Sequence, residues 1–320
     1  MELSALNDEL SIHTKRRIIF KREDENPTGS HKARALSYQV SHYKKMGHRT
    51  LLISSSGNAA IAAAAYANLC GIRLIAFVDS ATPAAKVNEI KKSGQPVLFC
   101  KKPINFAKYA AKIFDIPNLR PSFDDLSIEP YQSIAFELYD EFKKSIDAVF
   151  MFPTSASSLI GTIKGYNKLV ESRSLKIPPK VIAVQTGNIT SIASELADSN
   201  FVSSTHPNRE ASRCPGALGV KSTRRTEEAV DMIKSVNGNG IIVTQNEIER
   251  ADAILQRHGI VTSMEGAATL AGAIRMEDVK NAVCILSGRR YKDNDDAVYG
   301  EVYHAESYSD VKEIVGKLKL

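Results

Sequence analysis

The chain predicts an α/β protein built on parallel sheet covered by helices, and three observations carry that expectation. Short apolar runs alternate with stretches of helical period along most of the sequence, the pattern of strands joined by helical crossovers. Several runs, among them Ala148-Val-Phe-Met-Phe152 and Ala282-Val-Cys-Ile-Leu286, are continuous, as strands are when both faces are covered. A length of 320 residues, 43% hydrophobic and 24% charged, is enough for a large core in one big domain or two lobes.

Taken in order, Arg17-Ile-Ile-Phe-Lys21 is an apolar-alternating strand. A Pro-Thr-Gly turn follows, then a helix-like stretch from Ala35 to Tyr43. Further strands are expected at 50–53, 74–78, 96–100, 148–152, 181–185, 241–244 and 282–286. Helical stretches lie between them at 58–69, 83–92, 133–142, 158–170, 245–258 and 266–276.

Composition excludes several classes. No apolar run approaches the roughly 20 residues needed to cross a bilayer, so no membrane role is expected. The start, Met1-Glu-Leu-Ser-Ala-Leu6, lacks the basic-then-apolar pattern of a secretory signal, which makes a cytoplasmic protein the expectation. Cys70, Cys100, Cys214 and Cys284 show no paired spacing and sit in apolar contexts, so they read as free buried thiols. No Cys/His cluster has metal-ligand spacing, and no metal is expected. The net charge of +6 is spread over pairs such as Lys44-Lys45 and Arg224-Arg225 rather than gathered on one element. That argues against nucleic acid and suits an anionic cofactor or substrate.

Three places carry chemistry. Lys32 lies at a strand-to-helix junction in Glu25-Asn-Pro-Thr-Gly-Ser-His-Lys-Ala-Arg34. A rigid backbone there can hold an amine against a carbonyl compound, as a Schiff-base lysine must be held; by itself it also reads as a helix-start lysine with its head in water. Ser54-Ser-Ser-Gly-Asn58 ends a strand and begins a helix, so hydroxyls and N–H groups converge on the positive end of the helix dipole. Pro153-Thr-Ser-Ala-Ser-Ser-Leu-Ile-Gly161 follows a buried strand and opens a helix in the same way. An ordinary helix N-cap is the plain alternative for both.

Asn26-Pro-Thr-Gly-Ser-His-Lys32 followed by Ser54-Ser-Ser-Gly-Asn-Ala-Ala60 resembles the cofactor-lysine and asparagine-loop motifs of fold type II pyridoxal-phosphate enzymes, those related to the tryptophan synthase β subunit. Glu129-Pro-Tyr-Gln-Ser-Ile-Ala-Phe-Glu137 and Leu286-Ser-Gly-Arg-Arg-Tyr-Lys-Asp293 make the resemblance greatest to threonine synthases. The matches run in the expected order across residues 17 to 293.

The resemblance implies two lobes, each a mainly parallel sheet covered by helices. Residues 1–34 and 146–320 would form a large domain that binds pyridoxal 5'-phosphate, and 35–145 a smaller mobile domain hinged at 33–36 and 147–152. It implies that Lys32 forms the Schiff base and moves protons, and that Asn58 hydrogen-bonds the ring hydroxyl. Ser55, Ser56 and Gly57 would take the substrate carboxylate. Thr154, Ser155, Ala156, Ser157 and Ser158 would hold the phosphate, with serine and threonine in place of most of the family's glycines, and so with less backbone freedom to form a concave nest. Ser287 would meet the pyridine nitrogen, and Gly288 would permit close approach. Glu265 matches an acidic position near the cofactor, or is a first-turn glutamate placed by the helix dipole; Gly216-Ala-Leu-Gly219 matches a loop that faces it. His31 stands where threonine synthases usually carry phenylalanine, and Ala33 replaces a common aspartate.

The implied activity is a lyase or transferase acting at the β or γ carbon of an amino acid. Its specific form is threonine synthase-like, converting O-phosphohomoserine and water to threonine and phosphate. The alternatives are β-replacement, as in cysteine or diaminopropionate synthesis, deamination of serine or threonine, and an inactive binding or regulatory protein that has kept the fold. The partner is a small amino-acid substrate, and a homodimer is implied by analogy.

Overall fold

A computed structural model describes residues 16–55, 57–186, 191–196, 223–291 and 300–319. In chain order the first elements are β1 (Arg17–Lys21), α1 (Lys32–Lys45), β2 (Thr50–Ser54), α2 (Asn58–Leu69) and β3 (Arg73–Asp79). Next come α3 (Ala84–Lys91), β4 (Val97–Cys100), α4 (Pro103–Phe114), α5 (Gln132–Phe142) and β5 (Ala148–Met151). They are followed by α6 (Ser157–Glu171), β6 (Lys180–Thr186), α7 (Thr226–Ser235), β7 (Asn239–Val243) and α8 (Gln245–Arg257). The last are α9 (Met264–Arg275), β8 (Asn281–Ile285), β9 (Val302–His304) and α10 (Tyr308–Leu318).

The chain divides into two compact units: Met1–Asn26 with Ile128–Arg290, and Pro27–Ser127 with Tyr291–Leu320. These bounds differ from the expected division at 34/35 and 145/146. Residues 291–320 fall with the second unit because β9 pairs with β4 and α10 packs on α4. Residues 128–145 fall with the first because α5 packs on α6. Lys32 therefore belongs to the second unit. The expected hinges, 33–36 and 147–152, lie within α1 and across β5 rather than at a division between units.

In the first unit five parallel strands run in the order β1-β8-β5-β6-β7. From β5 the chain steps one way to β6 and β7, and β8 returns on the other side of β5. In such sheets the crevice for a ligand opens at the carboxyl ends of the strands where the winding reverses. Phe20, Phe150, Ile182 and Cys284 lie in the core between the sheet and α8 and α9. Each large apolar side chain so buried contributes about 1.5–3 kcal/mol. Arg16 is buried too: its guanidinium donates to the carbonyls of Ala273, Met276 and Val279 at 2.7–2.8 Å, supplying a cation and donors at the carboxyl end of α9.

Helix α6 takes its bearing from two glycines. A Cβ at Gly161 would collide with the Ile128 carbonyl and lie 2.6 Å from the Tyr131 Cβ. One at Gly165 would lie 2.6 Å from the Gln132 carbonyl. Both positions are glycine because backbone comes too close for any side chain.

In the second unit four parallel strands run β2-β3-β4-β9. Residues 117–119 extend along the outer edge of β2, where Leu52 N–H donates to Pro117 and Leu119 N–H to Leu52. The alanine-rich α2 is buried along most of its length, and its small side chains let α1 pack closely against it.

Candidate functional site

In the second unit, two helices begin immediately after the two motifs. Gly29 takes φ 72°, turning the chain into α1, and Lys32 is the first helical residue, with 9% of its surface exposed. The helix start is organised by Ser30, whose Oγ accepts from the Lys32 N–H at 3.3 Å and whose carbonyl accepts from Ala33 at 3.1 Å. Tyr291 Oη donates to the Thr28 carbonyl at 3.3 Å and so ties the turn to the segment after residue 290. Thr28 Oγ1 is buried and has no hydrogen-bond partner among the described residues. A solvated surface lysine would need none of this.

The second motif leaves β2 at Ser54, which is fully buried, its Oγ without a partner among the described residues. Ser55 Oγ accepts from the Gly57 N–H at 3.3 Å, curling the loop, and Gly57 is the N-cap of α2 without contributing a side chain. The first intrahelical bonds run from Ala60 and Ile61 to the Gly57 carbonyl, so the N–H groups of Asn58 and Ala59 stand ahead of the ladder. Ser56 lies outside the described residues, as do Cys214, Gly216–Gly219 and residues 292 and 293.

Sequence reasoning missed Arg120. The extended segment along β2 delivers it to the carboxyl end of that strand, where its Nη1 donates to the Ser54 carbonyl and its Nε to Ser122 Oγ at 3.0 Å. Burial pulls its pKa below the ordinary arginine value. No carboxylate pairs with it among the described residues. Nothing in its local sequence marks it; only the bridge from Leu52 to Asn118 places it there.

In the first unit the 153–158 turn follows β5 and opens α6. Ala156 is the N-cap with φ 63°, a left-handed backbone on a residue that has a Cβ, and it is fully buried. A left-handed residue followed by a right-handed helical one turns successive N–H groups, here of 156–158, into a concave anion seat. So a nest forms here without glycine, and the strain, about 1–2 kcal/mol for such a residue, falls on Ala156. Ser155 Oγ donates to Ser157 Oγ at 3.3 Å, and Thr162 Oγ1 donates to the Ser158 carbonyl at 2.8 Å.

Two further residues that the sequence did not mark hold this turn. Gln185, at the end of β6, donates from Nε2 to the Pro153 carbonyl at 3.2 Å, while its Oε1 accepts from the N–H groups of Ile192 and Ala193 at 3.0 and 2.9 Å. Thr223 Oγ1 donates to the Ser155 carbonyl at 3.1 Å. With those two carbonyls engaged, the turn ahead of α6 is held in place.

Ser287 lies buried two residues beyond β8, the strand beside β5. The next residue, Gly288, accepts at its carbonyl from Ser263 N–H at 2.7 Å and Thr262 Oγ1 at 3.0 Å, which ties the turn to the start of α9. Glu265 sits in the first turn of α9, behind the Ser263 N-cap.

Taken unit by unit, the donors suit the two functional ends of a phosphorylated aldehyde, an anion in the first unit and a carbonyl in the second. The first unit offers N–H groups and hydroxyls with no carboxylate in the 153–158 turn, and a neutral hydroxyl at 287. The second offers a buried amine and two buried hydroxyls, Thr28 Oγ1 and Ser54 Oγ, that have no partner among the described residues.

Two parallel sheets covered by helices, with a lysine behind a Pro-Thr-Gly turn and a left-handed turn at a strand's carboxyl end, define the tryptophan synthase β-like class of α/β protein. The maize serine racemase structure matches at TM-score 0.73 with 17% identity, covering 91% of this chain and 88% of that one. A threonine deaminase isoform 2 structure from Solanum lycopersicum matches at TM-score 0.73 with 18% identity, covering 90% and 82%. The chain belongs to the pyridoxal-phosphate dependent enzyme family, whose model matches residues 3–288, and its cofactor is pyridoxal 5'-phosphate. Among curated relatives, threonine synthase of Halalkalibacterium halodurans is 26% identical over 291 residues, 87% of this chain and 78% of that protein. Threonine synthase of Mycobacterium tuberculosis H37Rv is 27% identical over 306 residues, 90% and 81%. Among the described residues no helix is long and apolar enough to cross a membrane, and no group of acidic, histidine or cysteine side chains could hold a metal ion.

Proposed function

We propose that this protein acts at the β or γ carbon of an amino acid in the manner of threonine synthases, taking O-phosphohomoserine and water to threonine and phosphate. The observation that carries this finer reading is the run of threonine synthase relatives along 87% to 90% of the chain. Pyridoxal phosphate, when bound, supplies an electron sink for the carbon beside the amine.

The chain's own residues divide the remaining work. Lys32 Nζ is the covalent anchor of the cofactor and the group that takes and returns a proton. Asn58 orients the ring hydroxyl, and Ser55, Ser56 and Gly57 take the substrate carboxylate. Thr154, Ser155, Ala156, Ser157 and Ser158 hold the phosphate through N–H groups and hydroxyls. Ser287 meets the pyridine nitrogen as a neutral partner. A hydroxyl cannot keep that nitrogen protonated as a carboxylate does, which favours elimination and replacement over transamination. The same reading makes the protein a cytoplasmic homodimer, a state that light scattering measures.

A side-by-side assay of O-phosphohomoserine, O-phosphoserine, O-acetylserine, serine and threonine tests the reaction. Threonine and phosphate formed from O-phosphohomoserine at the highest kcat/KM of the five supports it. Faster turnover of any other substrate replaces it with β-replacement or deamination.

A further inference from the structure

Arg120 carries a positive charge with which no carboxylate pairs among the described residues. Its Nη1 and Nε are used on the Ser54 carbonyl and Ser122 Oγ, and Nη2 has no acceptor among the described residues. The guanidinium lies 5.8 Å from the centroid of the Phe123 ring, which shields one side. Withdrawing a cation from water without a carboxylate is costly, and the cost is recovered when an oxyanion meets the remaining donors. The group is fixed at the end of β2 by backbone pairing on both sides of Asn118, so little entropy is lost when an anion binds. One residue further along β2 begins the loop that ends in the amino terminus of α2, which has no side-chain cap, and the buried Ser54 hydroxyl there has no partner among the described residues. The side-chain cation, the helix dipole and the unpartnered hydroxyl all belong to one unit, and all favour negative charge.

We propose that Arg120 is a specificity-determining residue which, with the amino terminus of α2, binds an oxyanion of the amino-acid substrate. This rests on the reading of 55–57 as the substrate loop. Two groups could supply the oxyanion: the α-carboxylate, or an anionic side chain such as a phosphoryl ester.

The test uses the full chain with and without pyridoxal phosphate, as wild type, Arg120→Gln and Arg120→Lys. Binding of L-alanine, L-alaninamide, L-serine and O-phospho-L-serine is measured by calorimetry and by thermal stabilisation. A charge-assisted contact predicts that Arg120→Gln weakens the recognised probes by about tenfold to a hundredfold, and that Arg120→Lys recovers part of the loss. Loss for L-alanine but not L-alaninamide identifies the α-carboxylate. Loss for O-phospho-L-serine but not L-serine identifies the side-chain anion. Equal losses for charged and uncharged probes, equal binding by wild type and Arg120→Gln, or no binding of any probe by wild type overturns the proposal. Failure of the wild type to form a visible chromophore with pyridoxal phosphate counts against the cofactor reading instead, and the cofactor-free measurements still decide Arg120.

Discussion

Gln185 donates to the carbonyl of Pro153 at 3.2 Å across 32 residues of sequence, so the end of β6 sets the turn that leaves β5. Thr223 does the same for Ser155 at 3.1 Å. Together they align a turn that has a left-handed residue and no glycine.

Thr223→Val keeps the shape of the side chain and removes its donor. One neutral hydrogen bond contributes about 0.5–1.5 kcal/mol, so affinity for pyridoxal phosphate should fall about three- to tenfold. Affinity for pyridoxal, which lacks the phosphate, should change by less than about twofold, and Thr223→Ser should restore the difference. Fluorescence titration of both ligands reads the split; equal losses would mean that the bond serves folding alone.

The left-handed backbone at Ala156, φ 63°, makes its own prediction. Ala156→Gly relieves the strain while adding freedom to the unfolded chain, and stability should stay within about 0.5 kcal/mol. Ala156→Val places a β-branched side chain at a positive φ in a fully buried position and should cost about 2 kcal/mol or more. Urea unfolding of the two variants separates them by midpoint.

Two helical glycines should respond to alanine with opposite sign. Alanine in place of glycine favours a helix by about 1 kcal/mol. At Gly316 the added Cβ meets only the Phe114 ring at 3.7 Å, so Gly316→Ala should stabilise. At Gly161 it collides with the Ile128 backbone and lies 2.6 Å from the Tyr131 Cβ, so Gly161→Ala should destabilise by about 1–2 kcal/mol net. A gain in stability at Gly161 would contradict the close helix approach.

Cys100 and Cys284 are buried, and burial pushes their thiols up to about 11 and about 12. At pH 8, well below both values, each stays a protonated thiol, which is the unreactive form. In the folded protein neither should react with a thiol reagent, whereas half-buried Cys70 should react before both. Peptide mapping after labelling, before and after unfolding in urea, checks the order.

Much of the fold was legible because its parallel strands are buried on both faces and announce themselves as continuous apolar runs, as at 148–151 and 281–285. The elements missed were those whose signal is not apolar. The three-residue β9 is an edge strand with exposed residues, recognisable only through its pairing with β4. Helix α10 is marked by a Ser307/Asp310 capping box, and α4 by Pro103 at its first position. The lysine and asparagine motifs were legible because each is a local turn with a fixed order of residues. Gln185, Thr223 and Arg120 were not, since each acts on a partner between 32 and 68 residues away that only the folded chain brings near. The observed units differ from the expected division for the same reason: the last helix joins the second unit by packing on α4, which no linker composition records.

The most direct measurement is reduction of the protein with borohydride in the presence of pyridoxal phosphate, followed by peptide mapping. The account predicts a visible band that reduction removes, and a pyridoxyl group on Lys32 alone, with none on a Lys32→Ala variant. Labelling at another lysine, or no stable label, would contradict it.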